Sequence, residues 1–196
     1  MKKSLGPITI IFPAPVMIVG TYDEKGSPNA CAASWGGICS SRPPCLAVSL
    51  RKATWTFRNI IQRRAFTVSL PPRKRVAEAD FFGMVSGRDL DKFTACGLTP
   101  EPARTVDAPI VAEFPLIIEC RLRHSIVLGL HTQFIGEIVD VCCEEDCLNA
   151  QGLPEVGKID PIAYVPTVRS YYAAGEVLGP GHSLGQVFIP DRGATG

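Results

Sequence analysis

Arg51 and Lys52 stand just before Thr54, and Thr56 follows two positions later. A guanidinium, an ammonium and two hydroxyls so close together suit an anion, above all if a helix starts there. The first N–H groups of a helix lack intrahelical partners and lie at the positive end of its dipole, so phosphate is held well at that point. Ser49 and Arg51 would share one face of a preceding strand and aim at the same spot. The plainer reading of the same residues is a Thr54 helix cap with Arg51 and Lys52 in solvent.

A second feature is the stretch NACAASWGGICS at residues 29–40, which has strand spacing but almost no side-chain bulk. In one phase Asn29, Cys31, Ala33 and Trp35 share a face; in the other Ala30, Ala32 and Ser34 do. Either face lets a flat ligand approach the backbone. A tight barrel corner, with Trp35 as a core anchor, explains the composition equally well. Lys92 and His131 are lone polar residues beside apolar runs. By themselves a surface charge and a structural hydrogen-bonder describe them.

The elements that must position these residues are mostly short strands. Residues 15–22 read as an apolar strand, 23–28 as a turn, and 29–40 as the returning strand of a hairpin. Residues 45–51 alternate, with Leu46, Val48 and Leu50 on one face. Residues 54–64 read as a helix capped by Thr54, with basic residues at its C-terminal end. Further strands are expected at 65–70, 116–123, 131–142 and 162–165, a helix broken by Gly83 at 73–85, and a short helix or turn at 89–96. The Pro-rich stretch 99–112 reads as irregular, and 176–196 as an extended or mobile tail of a single domain, 1–196. The pattern predicts a mainly β protein, a closed antiparallel barrel with two or three peripheral helices.

Composition removes several classes. A net charge of +1 supplies no global field for nucleic acid or an anionic membrane surface. Prolines 7, 13 and 15 interrupt the apolar N-terminal run, and no stretch has the length of a membrane helix, so a cytoplasmic protein is expected. Eight cysteines are too sparse for a disulfide framework in 196 residues. Cys142, Cys143 and Cys147 cluster, but no second pair or histidine completes a metal set, so reduced thiols and no metal are expected. The chain has no GxSxG, Walker, HExxH or GxGxxG motif.

Four segments, in order, carry a family resemblance: PAPVMIVGTYDEKGSPNACAASW, AVSLRKATWTFRNI, FFGMVSGRDLDKF and LHTQFIGEIVDV. Together they resemble the flavin reductase-like family of FMN-binding split β-barrels, its flavoredoxin branch in particular, from about residue 13 to 178. The resemblance implies a six- or seven-stranded antiparallel Greek-key barrel, a homodimer, and FMN near the subunit interface. By position it implies FMN contacts from Ala32, Ala33, Ser34 and Trp35. It puts Ser49, Arg51, Lys52, Thr54 and Thr56 along the ribityl phosphate. Ser86, Gly87, Lys92 and His131 would lie nearer the ring, with Tyr164 and Tyr171 approaching from another direction. Ser69 stands where many relatives carry Asn. The implied activity is electron transfer through FMN to redox protein partners or a small-molecule acceptor, with Lys92 and His131 tuning the flavin. The alternatives are an NAD(P)H-dependent flavin or ferric reductase and a non-catalytic FMN-binding barrel.

Overall fold

The computed structural model describes residues 1–189. Its centre is a seven-stranded antiparallel sheet in the order β3-β2-β6-β9-β10-β5-β4. These strands are β2 (Met17–Tyr22), β3 (Pro28–Ala33), β4 (Gly36–Ser41), β5 (Pro44–Arg51), β6 (Ala65–Leu70), β9 (Leu116–Leu128) and β10 (His131–Cys143). The strands β1 (Ala14–Pro15), β11 (Ile162–Val165) and β12 (Ser170–Ala173) form a small second sheet, while β7 (Pro100–Pro102) and β8 (Pro109–Val111) pair as a hairpin. The helices are α1 (Trp55–Arg63), α2 (Val76–Met84), α3 (Lys92–Cys96) and α4 (Val156–Ile159). Among the described residues no helix is long and apolar enough to cross a membrane.

The expected second strand, residues 29–40, is two strands. Ala33 pairs with Met17 on β2, whereas Gly36 pairs with Val48 on β5, at the opposite end of the sheet order. Ser34 and Trp35 make the crossing, and the Trp35 carbonyl accepts a 2.8 Å hydrogen bond from the Ser49 N–H. This two-residue link carries the chain directly from one edge strand to the other and so brings the two ends of the sheet together in a barrel. The corner is tight: a Cβ on Gly36 would collide with the Ala47 carbonyl oxygen and approach Met17 Cε to 2.7 Å. The light composition therefore serves a corner at Gly36, while the alanines before it serve a different purpose described below.

Two apolar layers hold the elements. Met17, Val19, Cys31, Leu46, Val48, Phe66 and Phe134 fill the barrel. On the other face of the same strands, Ile18 and Ala30 pack against Ala79 and Phe82 of α2 and Phe93 of α3. Strand β2 is thus buried on both sides, which explains its continuous apolar run. The layers also settle the phase of β3: Cys31 faces the barrel, with Ala33 packed against that interior, while Ala30 and Ala32 face the helices. Truncating a core phenylalanine such as Phe66 to Ala would cost about 3–5 kcal/mol.

Other departures from expectation have local causes. Gly83 does not break α2, which runs through it to Met84. The stretch 99–112 contains the β7–β8 hairpin, whose prolines sit at strand ends where no ladder N–H is needed. Strand β9 runs five residues past Arg123 because its pairing with β10 continues to Leu128. Strand β12 was not expected. Beyond it the described chain has one 3₁₀ turn, Leu184–Phe188, and the rest of the expected tail, 190–196, lies outside the described residues.

Candidate functional site

Three adjoining cavities run along β3 and the Ser34–Trp35 corner. The first, about 300 Å³, lies between the start of α1, β3 and the loop after α2. The second, about 260 Å³, shares Ala32 and Gly83 with the first and is walled by Tyr164 and Tyr171. The third, about 410 Å³, shares Ser34 with the second and is walled by Trp35. Ala32 and Gly83 form the wall that the first two cavities share. The Ala32 methyl group lies opposite Gly83 of α2, close enough that a Cβ on Gly83 would touch it at 3.4 Å.

The first cavity is lined by Arg51 and Lys92 and by no carboxylate. Thr54 has the extended backbone of an N-cap, and its Oγ1 accepts from the Phe57 N–H at 3.3 Å. The same hydroxyl donates to the Arg51 carbonyl at 2.9 Å, so the cap also fixes the turn that carries the guanidinium. Thr56 is buried, and its Oγ1 accepts from Asn29 Nδ2. Asn29 Nδ2 and Asn59 Nδ2 both donate to Thr21 Oγ1, at 3.2 and 3.1 Å, which ties β2, β3 and α1 into one buried network. On the other side, Gly87 presses against Asn29, where a Cβ would collide with Oδ1. Arg88 then lies over the Trp55 ring at 5.2 Å, as Arg58 does at 5.1 Å, which seats the loop on α1.

Lys92 opens α3 behind an Asp91 cap and is only 3% exposed. Its Nζ donates to the Phe82 and Val85 carbonyls at 3.1 and 3.2 Å. Those carbonyls belong to the C-terminal end of α2, which lacks intrahelical donors and carries the negative end of the dipole. Among the described residues no carboxylate lies within ion-pair distance of Lys92. Burial pulls its ammonium below the ordinary lysine value, against the opposing pull of Cys31 and Cys96. Burial likewise pushes the Cys31 thiol up, which keeps it neutral.

In the second cavity the Tyr164 and Tyr171 rings lie 5.3 Å apart, and Tyr171 donates its hydroxyl to Asp80 Oδ1 at 2.8 Å. Burial and then Asp80 raise the Tyr171 phenol well above its ordinary value. At the corner, Trp35 is backed by the His131 ring at 4.7 Å between centroids.

The residues expected from sequence are therefore distributed as follows. Arg51, Thr54, Thr56, Ser86, Gly87 and Lys92 share the first cavity with Ala32; Ala33, Ser34 and Tyr164 line the second; Ser34, Trp35 and Ser49 line the third. Lys52 is exposed and lines none of the three. Lys92 sits with the Arg51 group, whereas His131 stays at the Trp35 corner, paired by register with Arg51. Trp55, Asp80 and the segment around Ile10 and Ile11 were not anticipated. Trp55 sits beside the predicted cap, a position that could have suggested it; the other contacts join distant parts of the chain. Near the cysteine cluster, Glu119, Asp140 and Cys142 converge, as do Glu144, Asp146 and Cys147. Glu119 is already committed to the N–H groups of Arg104 and Thr105 and to the Thr105 hydroxyl.

A family model described as flavin reductase like domain matches residues 10–166. The chain belongs to the flavin reductase-like family. Flavoredoxin of Desulfovibrio vulgaris (Miyazaki F) is 54% identical, with a TM-score of 0.91 over 94% of this chain and 100% of that one. An FMN-binding protein of Thermus thermophilus is 26% identical, with a TM-score of 0.77 over 92% of this chain and 99% of that one. A split-barrel domain also occurs among the similar flavin reductase-like structures, and the seven-stranded barrel described above is of this kind. An uncharacterized protein of Aeropyrum pernix is 29% identical over 82% of this chain, which spans 60% of that relative's length.

Proposed function

We propose that this chain is an FMN-binding flavoprotein of the flavoredoxin type that passes electrons through its bound flavin. The observation that carries the reading is the pair of adjoining cavities along β3, with cations and a helix start in one and the Tyr164 and Tyr171 rings in the other. The residues present suit the group. The first cavity combines Arg51, the α1 N-terminus and the Ser86 hydroxyl without any acid, which matches a phosphate. Tyr164 and Tyr171 offer flat apolar surface in the second cavity, beyond the wall that Ala32 and Gly83 share with the first.

When bound, FMN supplies the redox chemistry; the protein contributes position and electrostatics. Arg51 and the α1 start would hold the phosphate. Lys92, fixed by two carbonyls, places one buried positive charge against the groove and favours the more negative state of whatever lies there. His131 holds the Trp35 indole in place from behind. The proposal extends to a cytoplasmic homodimer that meets a redox protein partner or a small-molecule acceptor.

The visible absorption spectrum of the purified protein tests the reading, followed by titration with FMN and riboflavin. Flavin absorption and preference for FMN are expected; a colourless protein indifferent to FMN would overturn it. NAD(P)H-dependent reduction is the second reading, favoured by the uncommitted space beside Trp35. Anaerobic addition of NADH or NADPH decides between them, since rapid bleaching of bound flavin belongs only to the reductase.

A further inference from the structure

The hairpin that β4 and β5 form carries a cysteine on each strand. From Gly36 to Ile38 the ladder pairs with Val48 to Leu46; beyond it Ser40 pairs with Cys45 and Ser41 with Pro44. Cys39 is therefore the extra residue of a β-bulge, set with Ser40 against Cys45. Side chains alternate along a strand, so the register decides the faces. Leu46 and Val48 belong to the barrel interior, which puts Cys45 on the outer face. Ser40 shares that face through its pairing with Cys45, and the step on from Ile38 puts Cys39 there too. Two thiols thus leave neighbouring strands on one side of the sheet. Opposed Cα atoms in an antiparallel pair lie about 4.5–5.5 Å apart, inside the roughly 4.4–6.8 Å that a disulfide spans. No other paired strands among the described residues set cysteine against cysteine. Cys31 pairs with Val19, Cys120 with Phe66 and Ile138, Cys142 with Ile117 and Cys143 with Leu116.

The two thiols differ in access: Cys39 is exposed, whereas Cys45 is only 6% exposed. Burial, and after it Cys45, raises the Cys39 thiol above its ordinary value, so the two groups feel each other. Cys120 behind them is fully buried, and burial first of all pushes its thiol up to about 12, which keeps it out of thiolate chemistry. We propose that Cys39 and Cys45 are a hydroperoxide-sensitive pair that closes into a reversible disulfide across β4 and β5. The exposed Cys39 thiolate attacks the terminal oxygen of a hydroperoxide ROOH. The O–O bond breaks, the thiol proton goes to the leaving alkoxide to give ROH, and Cys39 becomes a sulfenic acid. The Cys45 sulfur then attacks the Cys39 sulfur; the S–S bond forms, and the hydroxyl leaves as water with the Cys45 proton. The two thiols lose two electrons, which the O–O bond takes up, and a dithiol reductant reverses the change. The bond would pin the hairpin just beyond the Ser34–Trp35 corner, and it does not depend on whether the chain binds flavin.

Hydrogen peroxide is the probe, applied to the full chain, with free thiols counted after denaturation and the cysteines mapped by mass spectrometry. Two of the eight thiols should be lost together, and dithiothreitol should restore them. Fragment ions should assign the missing pair to Cys39 and Cys45. Cys45→Ser should stop at a Cys39 sulfenic acid that dimedone traps, and Cys39→Ser should keep all its remaining thiols. Survival of all eight thiols in the wild type would overturn the proposal, as would a disulfide mapped to Cys142, Cys143 or Cys147 in place of this pair. Thiol loss undiminished in Cys39→Ser would do the same.

Discussion

Asn29 Nδ2 donates to Thr56 Oγ1 over 2.9 Å, and both residues are buried. This one bond fastens the first turn of α1 to β3, the two walls of the cationic cavity. Asn29→Ala should cost about 1–3 kcal/mol by taking the donor from the buried Thr56 hydroxyl, and Thr56→Val less, because Asn29 Nδ2 keeps its bond to Thr21 Oγ1. Because the two changes break the same bond, the double variant should cost less than the sum of the singles by about 1 kcal/mol. Denaturant midpoints of the four proteins measure this, and strict additivity would show that the bond carries no coupling.

Gly83 and Gly87 line the same cavity and should respond oppositely to alanine. A Cβ on Gly87 would overlap Asn29 Oδ1, so Gly87→Ala should cost about 1–3 kcal/mol as the loop is pushed away. A Cβ on Gly83 meets only the Ala32 methyl at ordinary contact distance, and alanine favours the helix by about 1 kcal/mol. Gly83→Ala should therefore keep or raise the melting temperature while weakening FMN, because its methyl is added to the wall that the first two cavities share. Unchanged FMN affinity in Gly83→Ala would mean that the ligand does not reach that wall.

How far the sequence foretold these walls depended on distance along the chain. Thr54 as a cap was legible because its partner, the Phe57 N–H, is three residues away. The split of residues 29–40 was not, because small residues keep strand spacing across Ser34 and Trp35 and the cause of the break is the distant Ser49. Asn29 gave no local sign of its role, since Thr56 lies 27 residues on. The phase of β3 was equally hidden: alanines on both faces carry no hydrophobic contrast, and only packing against Ala79 and Phe82 decides it. Lys92 was identified as a candidate, but its α2 carbonyl partners depend on how two helices meet.

Arg51 tests the direction of the ligand. It is exposed at the end of β5, held by the turn that Thr54 bonds, and lines the cavity at the α1 start. Arg51→Ala should weaken FMN about tenfold or more and leave riboflavin nearly unchanged, because only the phosphate meets the guanidinium. Lys52→Ala, outside the cavity lining, should change neither by as much. Fluorescence titration of both ligands measures the ratio, and equal losses for FMN and riboflavin would move the phosphate elsewhere.

Lys92 yields a prediction in pH as well as in potential. Burial holds its folded value below the 10.5 of a free lysine, whereas the unfolded chain keeps the proton up to that value. Between the two, the unfolded state binds more protons, so stability rises with pH in this window. The cost of burying the ammonium is therefore full at neutral pH and fades as pH climbs from the depressed folded value toward 10.5. Lys92→Met carries no such charge, so the wild type should gain on it across that range, as read from urea midpoints at stepped pH. A difference that does not move in the wild type's favour as pH rises would mean that Lys92 is not a buried ammonium. With FMN bound, Lys92→Ala should lower the midpoint potential or weaken FMN, because the groove loses a fixed positive charge. If neither quantity changed, Lys92 would be left as a cap for the α2 carbonyls alone.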